Sequence, residues 1–316
     1  MSKLLRYILI LSAALVAVLF AASMLGAERV NILSLDDQTR SILFGIRLPR
    51  IFLAACVGAS LAVAGAGLQA LRRTPLAEPY LLGVSNGAAL GTMVAFVFFG
   101  AFEWSRPVLA FAGAGLASIA VYQMARSRAG MSVERLVLSG VIITTFLSSI
   151  IVMLTTVLDA VRLRSFTFWL LGDLSQATTT GIYVSFAASV VGTLLIASQA
   201  RGLKLMMVGE RDALDFGVEV GRVRLIVFGA ASLVVGASVA ASGSVGYVGL
   251  IVPHIVRLTV GSDNRLVVPL SAMVGAMFVV LADTVARTAI APRELPVGAI
   301  TALIGAPLFI YLLRRS

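Results

Sequence analysis

The run Ile51–Leu71, IFLAACVGASLAVAGAGLQAL, carries no charged side chain over its whole length. About 20 apolar residues make a helix long enough to cross the ~30 Å hydrocarbon core of a bilayer. Uncharged runs of similar length recur from one end of the chain to the other and predict an all-α polytopic membrane protein. The other clear runs are Tyr7–Leu25, Tyr80–Phe102, Pro107–Ala125, Leu136–Leu158, Leu174–Ala200, Leu266–Ala282 and Leu295–Leu313.

The composition excludes a soluble protein. Of 316 residues, 59% are hydrophobic and only 13% are charged, with a mean hydropathy of +1.01. Water would have to cover too much apolar surface. No stretch is long enough for a separate soluble domain, so residues 1–316 are expected to form a single transmembrane domain surrounded by lipid. The net charge of +10 fits the positive-inside rule, and no nucleic-acid partner is expected.

One stretch sets the number of spans. Between Arg224 and Arg257 the chain carries no charge, but Ser242–Gly246 (SGSVG) interrupts the apolar sequence. The stretch is too long for one helix and short for two, which favours a full span followed by a short one. Counting it as two gives about ten spans and places both termini on the same side.

The distribution of basic residues orients these spans. With ten spans, 16 of the 25 Lys and Arg residues lie on the side of the termini and nine on the other; with nine spans the division is 14 to 11. Because cytoplasmic loops carry the excess of basic residues, the ten-span arrangement is favoured. It predicts that both termini and residues 201–224 are cytoplasmic.

A short repeat is visible within the chain. Gly58–Gly65 (GASLAVAG) and Gly236–Gly243 (GASVAASG) match at five of eight positions. With ten spans the two copies run in opposite directions, which predicts an inverted-topology repeat of the kind that many transporters use. The same offset of 178 residues relates Pro75 to Pro253 and Gly83 to Gly261.

The chain lacks the residues of a self-contained motor or metal site. Its only lysines, Lys3 and Lys204, do not lie in a phosphate-binding GxxxxGK[ST] loop. His254 is the only histidine and Cys56 the only cysteine, so no clustered metal ligands are expected. We therefore expect no catalytic residue, no metal and no cofactor on this chain, and an energy source on a partner.

Asp283 leaves an alternative open. It is the one acidic residue that could lie deep enough in a span to couple an ion gradient to transport. Arg287 follows four residues later, a spacing that places both on one helix face, so a structural ion pair is favoured. The alternative is a self-sufficient ion-coupled secondary transporter that uses Asp283.

Residues 201–224 form the densely charged stretch of the chain, with nine charged side chains in 24 positions. On a short helix Glu210, Ala213 and Gly217 would fall close to one face. Small residues there would let a partner approach the backbone, and Gly217 could end the helix. The alternative is a solvated amphipathic loop on the membrane surface.

Several motifs occur in order over nearly the whole chain. They are Arg47–Arg50 (RLPR), Gln69 with Arg73–Pro79 (RTPLAEP) and Leu82–Ala88 (LGVSNGA), Phe168–Gly172 (FWLLG), Gly246–Arg257 (GYVGLIVPHIVR), Ala282–Arg287 (ADTVAR), and Glu294–Gly298 (ELPVG) with Thr301–Pro307 (TALIGAP). Together they resemble the permease subunits of ABC importers for iron–siderophore complexes, haem and cobalamin, the FecCD-type family. Thr74 departs from the family pattern, which usually has Asn there; both side chains are small and polar.

The resemblance implies a homodimer of ten-span subunits around one central pathway, in the cytoplasmic (inner) membrane of a bacterium or archaeon. It also implies two ATP-binding subunits, which bind and hydrolyse the ATP, and an extracytoplasmic substrate-binding protein. The cargo would be an iron complex (ferric siderophore or haem) or cobalamin, and the sequence does not distinguish between them.

The resemblance also assigns two groups of site residues. The coupling segment that contacts the ATPase would include Gly209, Glu210, Ala213, Gly217 and Val218. Arg47, Arg50 and Arg287 match positions that meet acidic residues of the binding protein. From the residues alone, Arg47 and Arg50 could project outward on a stiff turn at Pro49 or lie among lipid headgroups; the resemblance favours docking.

Overall fold

The computed structural model describes residues 3–26, 36–72, 78, 80, 83–99, 104–127, 130–131, 133–175 and 177–315. This part of the chain is almost entirely helical. Its strands are β1 (Arg126–Ser127) and β2 (Gly130–Met131), two residues each, which pair in an antiparallel hairpin. The expected all-α fold is confirmed.

Fourteen α-helices and one π-helical segment make up the described fold. They are α1 (Lys3–Met24), α2 (Asp37–Arg40), the π-helical segment (Ser41–Arg47), α3 (Leu48–Arg72), α4 (Val84–Phe98), α5 (Ser105–Ala125), α6 (Val133–Thr155), α7 (Ala160–Leu170), α8 (Thr179–Ser198), α9 (Ala200–Val208), α10 (Glu210–Asp215), α11 (Val220–Ser242), α12 (Val248–Val260), α13 (Asn264–Thr288) and α14 (Val297–Arg315).

Seven helical stretches within the described residues are long and apolar enough to cross a bilayer: α1, the π-helical segment with α3, α5, α6, α8, α11 and α13. Three further apolar helices, α4, α12 and α14, are shorter. The protein is therefore a multi-pass membrane protein.

Helix α3 is the centre of the bundle. It packs against α8, α11, α12 and α13. In the span Ser41–Leu71, which contains α3, 83% of the apolar stretch is buried, whereas in α1 only 11% of the corresponding stretch is buried. Small residues make this possible. A Cβ atom on Gly58 would overlap the carbonyl oxygen of Gly275 in α13, and one on Gly65 would overlap that of Gly249 in α12. Glycine allows the backbones of these helices to touch.

The predicted break between two spans is present. Helix α11 ends at Ser242 and α12 begins at Val248. Gly243 has φ +67°, and a Cβ atom there would overlap the carbonyl oxygen of Trp169. Glycine is therefore required at this turn for both its conformation and its lack of a side chain.

Two side chains from the α3–α4 connection hold this break. Tyr247 has φ +67°, and no other described non-glycine residue has a positive φ. Its amide donates to Oε1 of Glu78 at 3.0 Å. The hydroxyl of Tyr80 accepts from the amide of Val245 and donates to its carbonyl oxygen, both at 2.9 Å. A strained residue of this kind persists only where the surrounding contacts fix it.

Some elements differ from the sequence expectations. Within the described part of the run Tyr80–Phe102, the α-helix spans Val84–Phe98 and begins directly after Gly83, which has φ +74°. Helix α7 and the π-helical segment were not predicted. Arg162 and Arg164 interrupt α7, and the uncharged part of the π-helical segment is too short to be recognised as a span.

The first copy of the octapeptide repeat lies in α3, and the second lies in α11 except for its last residue, Gly243, which follows the helix. The glycines related by the same offset occupy different structural positions. Gly83 precedes a helix, whereas Gly261 (φ +88°) follows one. Pro75 lies outside the described residues, as do Thr74 and the rest of the RTPLAEP motif except Glu78.

Candidate functional site

The charged stretch 201–224 forms α9, α10 and the first turn of α11. Helix α9 is amphipathic, with Leu203 and Met206 buried against the bundle, and Ala213 of α10 is also buried. The charged residues of α10 face outward. The segment is therefore a structured, amphipathic connection between α8 and α11.

Helix α10 ends at a glycine. The amides of Gly217 and Val218 donate to the carbonyl oxygens of Leu214 and Ala213, each at 2.9 Å. Gly217 has φ +76°, and nothing lies within 4 Å of the place where its Cβ would be. This is the backbone conformation of a helix-terminating glycine, and the surrounding space is open.

The residues predicted to share one face of this helix, Glu210, Ala213 and Gly217, differ in their accessibility. Ala213 is fully buried, and Glu210 forms an ion pair with Arg224 at 2.7 Å. Of these three residues, Glu210 and Gly217 are exposed to solvent. At Gly209 the backbone is extended (φ −168°), and a Cβ atom there would overlap Oδ2 of Asp212.

The segment instead exposes three large apolar side chains that the sequence reasoning missed. They are Val208 (75% exposed), Leu214 (55%) and Phe216 (73%). Hydropathy alone assigns such residues to the core. The signal that could have identified them is helical position, since α9 and α10 already direct Leu203, Met206 and Ala213 into the bundle.

Polar contacts fasten the segment to α13. Nζ of Lys204 lies 2.9 Å from Oδ2 of Asp263, whose other oxygen accepts from the amide of Arg265 at the start of α13. The hydrogen bond from Lys204, with that from Arg265, lowers the pKa of the Asp263 carboxyl. Arg257 of α12 donates to Oδ1 of Asn264 and to the carbonyl oxygen of Ala66 in α3.

A buried charge cluster lies at the opposite end of α13. Arg50 of α3 contacts Asp283 at 2.9 Å and Glu294 at 2.7 Å. Arg287, one turn after Asp283, contacts the same carboxylate at 3.2 Å. The expected Asp283–Arg287 pair is thus present, but Arg50 is a second partner that the sequence did not reveal. Two arginines around one carboxylate indicate a structural role for Asp283.

Two arginines of this region also bind the end of α1. Arg47 donates to the carbonyl oxygen of Ser23 at 2.9 Å, and Arg287 donates to that of Ala22 at 2.9 Å. The last carbonyls of a helix have no partner within it, and they carry partial negative charge. The arginines therefore cap α1 and attach it to the π-helical segment and to α13.

The side chains of Arg47, Arg50 and Arg287 are directed into the protein, each only 5–7% exposed. The expected outward projection at Pro49 is not found, because the chain continues from the π-helical segment into α3 without a turn. Nor do these side chains extend into a headgroup layer. The neighbouring Arg293 and Glu294 are exposed instead.

Known proteins share this architecture. The chain matches the FecCD transport family over residues 7–315. It is 43% identical over 278 residues to the cobalamin import permease BtuC of Halobacterium salinarum, covering 88% of this chain and 74% of the relative. It is 38% identical over 290 residues to the hemin transport permease HmuU of Yersinia pestis, covering 90% and 86%.

A solved structure described as an inward-facing metal-chelate type ABC transporter superimposes with a TM-score of 0.90. It is 31% identical, and the match covers 97% of this chain and 98% of that one. The chain belongs to the FecCD transport family. The family resemblance of the sequence motifs is thereby confirmed.

Motifs of this FecCD-family chain that are far apart in sequence meet at the break before α12. The carbonyl oxygen of Gly172, from the FWLLG motif, accepts from the amide of Val297 in the ELPVG motif at 3.0 Å. The amide of Asp173 donates to the carbonyl oxygen of Ser242 at 2.8 Å. These motifs thus form one packed junction. His254, in the motif that follows, is buried in α12, and the described residues contain no cluster of metal ligands.

Proposed function

We propose that this chain is the transmembrane permease subunit of an ATP-driven ABC importer. It takes up an iron complex (ferric siderophore or haem) or cobalamin that an extracytoplasmic binding protein delivers. The observation that carries the proposal is the family match over residues 7–315, with relatives named as cobalamin and hemin permeases at 38–43% identity.

The proposed assembly contains two copies of this chain and two ATP-binding subunits. The sequence supports a separate motor because its two lysines lie outside any phosphate-binding loop. ATP binds and is hydrolysed on the partner subunits, and this chain carries no cofactor. Residues 1–316 act as one transmembrane domain that forms the pathway.

The proposed topology has ten spans in the cytoplasmic (inner) membrane of a bacterium or archaeon, with both termini in the cytoplasm. Seven long helices and the three shorter ones, α4, α12 and α14, together supply that number. The basic-residue distribution supports the orientation. The octapeptides in α3 and α11 support an inverted repeat at the centre of the bundle.

The ATPase would dock on the cytoplasmic segment that contains Gly209, Glu210, Ala213, Gly217 and Val218. The apolar side chains of Val208, Leu214 and Phe216 supply the contact surface, because large exposed apolar groups on a charged segment are typical of protein interfaces. Gly217 fixes the end of α10, and the buried Ala213 fixes the helix on the bundle.

The binding protein would dock at the outer end of α3 and α13. Arg47, Arg50 and Arg287 give this end positive charge. The partly exposed Glu294 forms an ion pair with Arg50 there. An acidic group of the binding protein would compete with Glu294 for Arg50. The three arginines would therefore act through exchange of partners in a preformed cluster.

An ion-coupled carrier that uses Asp283 is less well supported. Its carboxylate is fully buried and already contacts Arg50 and Arg287. A coupling carboxylate must exchange protons or cations with water during each cycle, and two resident guanidinium groups oppose that.

ATP hydrolysis in proteoliposomes tests the proposal. The purified chain alone should hydrolyse no ATP, and the complex with its ATP-binding subunit should hydrolyse ATP faster when loaded binding protein is added. Robust hydrolysis by the purified chain alone would contradict the proposal. So would failure to form any complex with an ATP-binding subunit.

A further inference from the structure

An apolar groove of about 370 Å³ lies between α1 and α8. Both helices pack on α3 and α13, which form its floor. The floor consists of small side chains, chiefly Ala55, Ala59, Ala272 and Ala276. Leu15 of α1 and Val190 of α8 belong to its walls.

The groove lies at the depth of the hydrocarbon core. Leu15, Val190 and Ala272 each fall in the middle part of their own membrane-spanning helix. None of the residues that line the groove is charged. Water is therefore excluded from it in a bilayer, and the groove opens onto lipid.

The described helices leave this space open. Helices α3 and α13 are already in backbone contact at Gly58 and Gly275, so they cannot move closer together to narrow the groove from below. The rings of Phe52 and Phe186, with centroids 5.6 Å apart, form a wall between α3 and α8. Helix α1 is only lightly buried and does not close over the groove.

We propose that the groove binds one acyl chain of a membrane phospholipid. An empty groove would forfeit dispersion contacts along its whole lining, and acyl chains are the molecules available at this depth. The groove is open on one side, so a helix about 10 Å wide would only cover it from outside, whereas a single acyl chain is narrow enough to lie within it. The bound chain bridges α1 and α8, and it contributes to holding α1 on the bundle.

The inference needs only that the chain lies in a bilayer, and it is independent of the transport function. A tryptophan reporter tests it. In a Trp104→Phe, Trp169→Phe background, Leu194→Trp places an indole at the rim of the groove. The control Leu116→Trp lies on α5, 69% exposed and outside the groove. The probe is phosphatidylglycerol brominated in mid-chain, titrated into the detergent-solubilised protein.

The Leu194→Trp reporter should be quenched saturably at a low fraction of brominated lipid, whereas the Leu116→Trp reporter should follow the bulk lipid fraction. A further substitution, Ala59→Phe or the milder Ala59→Leu, fills the groove. The quenching curve of the Leu194→Trp reporter should then coincide with that of the Leu116→Trp reporter. Identical curves before any filling would overturn the proposal. An indole at position 194 that no lipid quenches would overturn it too, since another protein surface would then cover the groove.

Discussion

Oδ1 of Asp283 on α13 lies 2.9 Å from the guanidinium of Arg50 on α3, and both side chains are buried. The contact joins two helices whose backbones also touch at Gly58 and Gly275. Arg287 shares the same carboxylate. This end of the central helix pair is thus held by the buried Asp283 and two arginines, with the partly exposed Glu294 as a second partner of Arg50.

Replacing Asp283 by Asn should destabilise the protein by about 3–5 kcal/mol, because two buried guanidinium groups would lose their common counter-charge. Thermal unfolding in detergent would measure the loss. The double variant Asp283→Asn/Arg287→Leu should recover part of it, as expected for directly coupled residues. Equal stability of Asp283→Asn and the parent would mean that the cluster is not ionised as described.

Replacing Glu294 by Gln should strengthen binding of the substrate-binding protein. The change removes a negative charge and releases NH1 of Arg50, to which Glu294 is bound at 2.7 Å. Reversing the charge at Arg47 and Arg50 should weaken binding, by more than the ~0.2–1 kcal/mol typical of one exposed pair.

Binding affinity at two salt concentrations measures both effects, and the parent's affinity should fall as salt rises. Asp173→Asn serves as a control at a partly exposed acidic position that is not part of the arginine cluster. If Glu294→Gln leaves the affinity unchanged while charge reversal abolishes folding, the arginine cluster has only a structural role.

The sequence located the seven long apolar helices well, because an uncharged apolar run has few alternatives in a bilayer. The break after Ser242 was predicted from its glycines and is present. The start of α4 at Val84, inside the predicted run Tyr80–Phe102, was not predicted, since the positive φ of Gly83 depends on tertiary contacts that hydropathy does not contain.

Side-chain orientation was the weaker part of the prediction. Arg50 and Asp283 lie 233 positions apart, and no local pattern indicates that they meet. On α10 the spacing of Glu210 and Ala213 was correctly seen as helical, but which face the bundle covers depends on α9 and α11. The exposed Phe216 was missed for the same reason.

Replacing Gly217 by Val should uncouple the chain from its ATPase. The residue has φ +76°, which a side chain opposes by roughly 1–2 kcal/mol, and no clash adds to this because the space around it is open. Gly217→Asn, which tolerates this conformation, should be close to the parent. Glu219→Ala at a neighbouring exposed position should have little effect.

Co-purification of the ATP-binding subunit and stimulated ATP hydrolysis measure this coupling. Membrane insertion should remain normal, because no span is altered. If Gly217→Val and Gly217→Asn behave alike and both hydrolyse ATP normally, the end of α10 does not contribute to docking.

Replacing Gly58 by Ala should separate α3 from α13, since the added methyl group would overlap the carbonyl oxygen of Gly275. We expect a loss of about 1–3 kcal/mol, the range for overpacked cores. Gly229→Ala in α11 is the matched control, because nothing lies within 4 Å of its Cβ position. It should be neutral or stabilise the helix by up to about 1 kcal/mol. Equal thermal stability of the two variants would contradict the close packing.

The energy source of transport tests the central claim most directly. Proteoliposomes that contain this chain, its ATP-binding subunit and the binding protein should accumulate labelled cobalamin or a ferric chelate only with internal ATP, and a protonophore should have no effect. The chain alone should accumulate neither cargo. Uptake by the chain alone that is driven by a proton or sodium gradient, and is lost in Asp283→Asn, would contradict the account and support an ion-coupled carrier.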